Sequence, residues 1–180
     1  MLSSCAIQPQ VIRLNPLPAQ ANPSAAANTA SHEVVLVTRD ARASQEIGRR
    51  TSGSSAVAAI TTDSDIGALL MTQMTEILKA KGFRAVPAGT PDVPTLELQL
   101  KELSYVAFDA SGERKVKVQV VLETFIKNET KSYRTSFQAQ QERKIVFEPV
   151  AKTNEEWINE AFANALKELA NDTQVYSYLE

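Results

Sequence analysis

The chain carries one cysteine and one histidine in 180 residues, and these two scarcities exclude much chemistry. A single Cys forbids an intramolecular disulfide framework. With only one His beside it, a multi-Cys/His zinc site is excluded, as is any nucleophile-His-acid triad not built on His32. Aromatic residues make up only 6%. The apolar runs in the body, such as Val34 to Val37, are far too short to span a bilayer. No charge sign dominates: 19 Lys and Arg stand against 21 Asp and Glu, for a net charge of −2. That balance argues against a nucleic-acid partner. What remains is a globular composition, 43% hydrophobic and 22% charged, at a length that suits one domain with a tail.

The lone cysteine closes Leu2-Ser3-Ser4-Cys5, which resembles a bacterial lipobox. In lipoproteins of this kind small residues let the signal peptidase accept an extended backbone, and the thiol receives diacylglycerol. Cys5 is therefore the expected lipidation site and the membrane an expected partner; an ordinary terminal cysteine is the alternative. A complete signal has a basic and then an apolar segment ahead of the lipobox. Met1 is accordingly read as an engineered or misassigned start, and the natural start as lying upstream. Ala6 is not the Asp of the usual inner-membrane retention signal, which favours the outer membrane. Residues 1–5 are thus a lipobox remnant. Residues 6–31 hold one charge, Arg13, with Pro16, Pro18, Pro23 and the run Ala25 to Ala27. They are expected to form a flexible Pro/Ala-rich tether with an end-to-end distance of roughly 25–30 Å. The alternative docks Val11 to Leu17 as an edge strand.

Residues 32–180 read as a single α+β domain. Glu33 to Thr38 is β-branched with almost no polar interruption, as in a central strand buried on both faces. Arg39 to Ile60 reads as loop with one short strand near Val57 to Ile60. A helix follows, with Thr62 as N-cap and Ile66, Leu69, Leu70, Met74, Ile77 and Leu78 as its apolar stripe, stopped by Gly82. Phe83 to Val86 is a short strand. From Leu96 the period becomes two, with a phase slip near Lys101 and Glu102 that a β-bulge explains. Turns at Asp109 to Gly112 and Asn128 to Lys131 then make a long antiparallel three-stranded meander with one face open to water. Thr153 to Glu156 reads as a capping box ahead of a second helix carrying Trp157, Ala161, Phe162, Ala165, Leu166 and Leu169. Val175 to Leu179 form a last apolar turn. The expected architecture is a two-layer sandwich, a mixed β-sheet with two amphipathic helices on one face.

The whole body resembles the YajG-type lipoprotein family of Gram-negative bacteria. The resemblance is carried by Val37-Thr38-Arg39-Asp40-Ala41-Arg42, Ile47-Gly48, the Leu69 to Phe83 helix end, the Leu96 to Tyr105 strand and Leu166 to Thr173. It implies an outer-membrane or periplasmic lipoprotein, lipidated and facing the periplasm, whose molecular role is unassigned.

Arg39, Asp40 and Arg42 lie just past a buried strand, and Arg49 and Arg50 are placed to face the same cleft. Guanidinium forks there would recognise carboxylates or phosphates bidentately. The alternative is that Asp40 pairs with Arg42 or caps the loop, fixing the chain's exit from the strand. Asp63 and Asp65 are explained by a helix first turn, and His32 as a solvated residue. Tyr105, Phe108, Tyr133 and Phe137 are expected to cluster across strands. Charge is uneven: residues 113–144 hold eight basic and four acidic side chains, residues 145–180 two and seven, which makes the molecule dipolar. The favoured function is a non-catalytic, lipid-anchored binding or assembly module for another envelope component, an envelope protein or peptidoglycan. A small-molecule or lipid carrier with a pocket between helices and sheet is the alternative. An enzyme ranks last, because one His and one Cys assemble no nucleophile, base and orienting group. No cofactor or metal is implied. The free edge of the meander offers a route to a homodimer.

Overall fold

Alternating apolar and polar residues set the longest elements. The computed structural model describes residues 8–17, 32–52 and 55–180; Cys5 and residues 18–31 of the expected tether lie outside them. Among the described residues the elements run β1 (Gln10–Ile12), β2 (His32–Asp40), β3 (Gly48–Ser52), β4 (Ser55–Thr62), α1 (Ile66–Ala80), β5 (Phe83–Val86), β6 (Thr95–Ala110), β7 (Glu113–Lys127), β8 (Ser132–Ile145), α2 (Ala151–Asn171) and α3 (Thr173–Ser177). The strands form one mixed sheet, curled into a half-barrel with the helices on one face.

β6 pairs antiparallel with β7, and β7 with β8. Leu96, Leu98, Leu100, Val116, Val118, Val120 and Leu122 point to the helices and are buried, while Glu97, Gln99, Lys117 and Gln119 alternate with them on the other face. The expected phase slip is a register shift between Leu100 and Glu102, after which Leu103 and Tyr105 are the buried pair. Ser111 and Gly112 both have positive φ, 54° and 76°, the pair of left-handed residues whose twist matches a hairpin's strands. β2 is central, between β5 and β6, and parallel to both.

Three expectations are corrected. Residues 10–12 are not tether: β1 pairs parallel with β4, and Ile12 and Leu14 are buried in the core, because β4 would otherwise leave an open edge. Arg39 to Ile60 is not mainly loop, since β3 and β4 form an antiparallel hairpin within it. The helix starts also move. Thr62 is still in β4, opposite Ile12, and Asp65 caps α1 by accepting from the Ala68 N–H at 2.9 Å. α2 begins at Ala151, ahead of the expected capping box, with Val150 as a residue that has no capping side chain.

The helix stripes are largely as read from the sequence, with Leu69 and Trp157 only half-buried against the core. Ile66, Leu70, Met74, Ile77 and Leu78 of α1 are buried, as are Ala161, Phe162, Ala165, Leu166 and Leu169 of α2, joined by Ile158 and Ala170. Gly82 takes φ 88° and ends α1. Asp172 closes α2 and caps α3, accepting from Gln174 and Val175.

Candidate functional sites at the two ends of the sheet

The Arg edge lies where β2 parts from β6. β2 follows β6 as far as Leu100, where the Ala41 N–H donates to the Leu100 carbonyl, and the chain returns at β3, where the Tyr105 N–H donates to the Ile47 carbonyl. Arg39, Asp40 and Arg42 stand at the departure and Arg49 and Arg50 beyond the return. Each guanidinium has a partner within the chain. Arg42 forms a fork on Asp40, Nε to Oδ1 at 2.9 Å and Nη2 to Oδ2 at 2.8 Å, and that fork is the chief cause holding the Asp40 carboxyl below its usual range. Arg39 pairs with Glu97, and Arg49 with Glu46 at 2.8 Å. Arg50 donates to the carbonyls of Gln8 and Pro149.

Arg50 opens onto a buried polar cluster below the β3–β4 hairpin. The side-chain amides of Gln10 and Asn154 face each other at 2.7 Å across the β1–α2 contact. With the Gln10 amide turned so that its oxygen meets donors, that oxygen accepts from the Ala151 N–H and from Arg50 Nε, both at 3.1 Å. Gln10 thereby does for α2 what Val150 has no side chain to do, satisfying an N–H of the first turn from another element. Glu148 accepts from Arg114 at 2.9 Å and from Thr51 at 3.3 Å. Tyr105 lies here too, 2% exposed, its phenol pushed well above the usual range by burial first and by Glu148 second.

At the other end of the long strands is an open pocket of about 620 Å³. His32 and Glu33, the Asp92 to Thr95 approach to β6, the Lys127 to Thr130 turn and Glu180 line it. Asn128 shapes the turn by accepting from the Thr130 and Lys131 N–H groups and ties it to the last residues by donating to the Tyr178 carbonyl. His32 stands at the mouth, its ring 5.7 Å from that of Phe83. Among the described residues no group of three or more His, Cys, Asp or Glu is placed to hold a metal, and no helix is long and apolar enough to cross a membrane.

A family profile described as that of an uncharacterised lipoprotein matches residues 19–180. The chain belongs to this lipoprotein family. Comparison of the lipoprotein with curated proteins finds no match. Among solved structures it is similar to a Xanthomonas campestris protein of the family designated DUF330, at 13% identity over 96% of this chain and 97% of that one, with a TM-score of 0.55. It is also similar to a Helicobacter pylori homologue of a neuraminyllactose-binding hemagglutinin, at 12% identity over 91% and 93%, with a TM-score of 0.52. Both likenesses are of fold.

Sequence reading missed the polar cluster and the pocket of this lipoprotein. Asn154 was visible only as part of a capping box that does not form, and Gln10 as part of a tether. The pocket is assembled from four separate segments, the start of β2, the approach to β6, the Asn128 turn and the last residues, for which the prolines at 91 and 94 and the Asn128 turn were the sole signals. The expected cluster of Tyr105, Phe108, Tyr133 and Phe137 is replaced by other ring pairs: Tyr133 stacks on Tyr178 at 4.7 Å, and Phe83 meets Tyr176 at 6.1 Å.

Proposed function

We propose that this is a lipoprotein of the YajG type, held by Cys5 at the periplasmic face of the outer membrane, that binds another envelope component without catalysing a reaction on it. Membership of a lipoprotein family and the Leu2 to Cys5 pattern support the anchor. The observation that carries the binding role is the pocket at the far end of the long strands. Its volume lies in the range of ligand sites, and its rim carries Glu33, Asp92, Glu129 and Glu180 against Lys127 and His32. That balance suits a polar, cationic group on an envelope protein or on peptidoglycan. A carrier would need an apolar cavity between helices and sheet, where Leu70, Met74, Leu98, Leu122, Phe162 and Leu166 are packed and buried. The non-catalytic reading rests on the scarcity of His and Cys and on the place of His32 beside Phe83.

The test is photo-crosslinking in cells, with a photoreactive residue replacing Thr130 at the pocket, Arg39 at the Arg edge or Gln138 on β8. Adducts to one envelope component from position 130 and none from 39 are expected. Adducts from 39 alone would move the binding surface to the Arg edge and overturn the pocket reading. β8 pairs with β7 alone among the described strands, so a second copy along that edge would give an adduct of twice the chain's mass at 138.

A further inference from the structure

The connection between β8 and α2 breaks the usual pattern of a surface loop. Val146, Phe147 and Val150 are 78%, 85% and 64% exposed, a run of large apolar side chains with no cover, yet the residues between them are held fast. Glu148 is clamped by Arg114 and Thr51, and the Pro149 carbonyl accepts from Arg50. The loop turns Glu148 Oε1 inward onto Arg114 and Thr51 and the Pro149 carbonyl onto Arg50, while its apolar side chains are presented outward. Such an arrangement costs stability in water and is preorganised for an apolar surface.

The place of this loop in the fold says which surface. The same Arg50 that holds Pro149 also donates to the Gln8 carbonyl at 3.1 Å, so the loop and the start of the described chain are joined on one guanidinium. The register agrees. Gln10 lies opposite Ile60, Ile60 opposite Gly48, and Gly48 opposite Tyr105. β1 runs antiparallel to β6, so the backbone before Gln10 heads toward the Asp109 end of β6, where Arg114 and then Ile145 are aligned. Gln8 is only three positions on from Cys5, a reach of at most about 11 Å. A lipid on Cys5 therefore brings the bilayer to the end of the sheet that carries Phe147.

We propose that Val146, Phe147 and Val150 form a wedge that enters the membrane interface beside the lipid anchor, so that the molecule stands on its β3–β4 and β8–α2 end. The proposal rests on the reading of Cys5 as the anchor. The wedge is chiefly apolar in its action, because most charges around it are paired within the chain, Arg114 on Glu148, Lys144 on Glu113, Arg143 on Glu160 and Arg49 on Glu46, with Lys152 exposed beside Val150. Insertion is then expected to depend little on lipid charge and on salt.

The full chain is coupled through the Cys5 thiol to a maleimide-headgroup lipid in phosphatidylcholine vesicles with brominated acyl chains. Phe147→Trp and Thr130→Trp, each with Trp157→Phe, report the two ends of the sheet. Emission at 147 is expected to shift to the blue and fall roughly twofold or more, with little change at 130. Salt at about 1 M, where the Debye length is about 3 Å, leaves the quenching unchanged. Should Trp157→Phe fail to fold, the quenching is read as the excess over the chain that keeps Trp157. No quenching at 147, equal quenching at both positions, or a blue shift that grows with protein concentration without vesicles, meaning a second copy on the wedge, would each overturn the proposal. Coupling is chemical here, so failure of the wedge is distinct from failure of Cys5 to be lipidated in cells.

Discussion

Gly48 sits where β3 joins β6, and a Cβ there would lie 2.0 Å from the carbonyl oxygen of Tyr105. Backbone cannot yield as a flexible side chain does, so Gly48→Ala is expected to cost about 2–3 kcal/mol, read as a lower urea midpoint at unchanged slope. An unchanged midpoint would show that β3 is not held against β6. The buried phenols give a second prediction at this scale. Tyr105 and Tyr176 both have pKa values raised chiefly by burial, so the folded chain keeps protons that the unfolded chain loses. Their contribution is fully present below the unfolded value, about 10, and is lost as pH rises through the folded one. Stability should fall above about pH 10, and Tyr105→Phe should flatten that fall, as read by urea midpoints across the alkaline range. A midpoint that does not move above pH 10 contradicts the burial of these groups. Residue-level detail of this kind was partly legible: Ile47-Gly48 stood out as a pair, but nothing in the sequence tied it to Tyr105.

At the scale of elements, the long periodic segments were legible because their own apolar spacing dictates which face is buried. The alternation over Leu96 to Leu100, its slip before Leu103, and the stripes of α1 and α2 all appear in the structure where the spacing puts them. β1, offered only as the alternative edge strand over Val11 to Leu17, and the β3–β4 hairpin, of which only Val57 to Ile60 was read as strand, were poorly legible for the opposite reason. Gly48-Arg49-Arg50-Thr51-Ser52 has no apolar pattern of its own, and β1 is three residues long; each is a strand because a neighbour offers an edge. The helix caps failed likewise, since α2 takes a capping group from Gln10, 141 residues before Ala151 in the sequence. β1 can be tested directly. Ile12 is fully buried, and Ile12→Ala is expected to cost about 2–4 kcal/mol. It should also expose residues 8–17 to limited proteolysis before the body is cut, because Arg13 and Asn15 hold α2 only through Glu155 and Asn159. Cleavage no faster than in the unaltered chain would mean that β1 contributes nothing to docking.

The whole molecule has two unlike ends, joined by β6, a strand of 16 residues and so about 50 Å of chain. One end gathers the Gln10–Asn154 pair, the Glu148 clamp and the apolar Val146 to Val150 loop, and lies within three residues of Cys5. The other carries the polar pocket. Composition could exclude a disulfide scaffold, a zinc site and a His-based triad, and the Leu2 to Cys5 pattern could suggest an anchor. Neither could show at which of these two ends Cys5 emerges, since that depends on the direction in which β1 joins β4. On this account the anchor end faces the bilayer and the pocket faces away from it. The central claim is the anchor, and the measurement that tests it most directly is palmitate labelling with membrane fractionation of the protein expressed from its own genomic locus, comparing wild type with Cys5→Ser. The account predicts label and outer-membrane location in the wild type and the loss of both in the variant. A wild-type chain that is unlabelled and absent from the membrane fraction would contradict it.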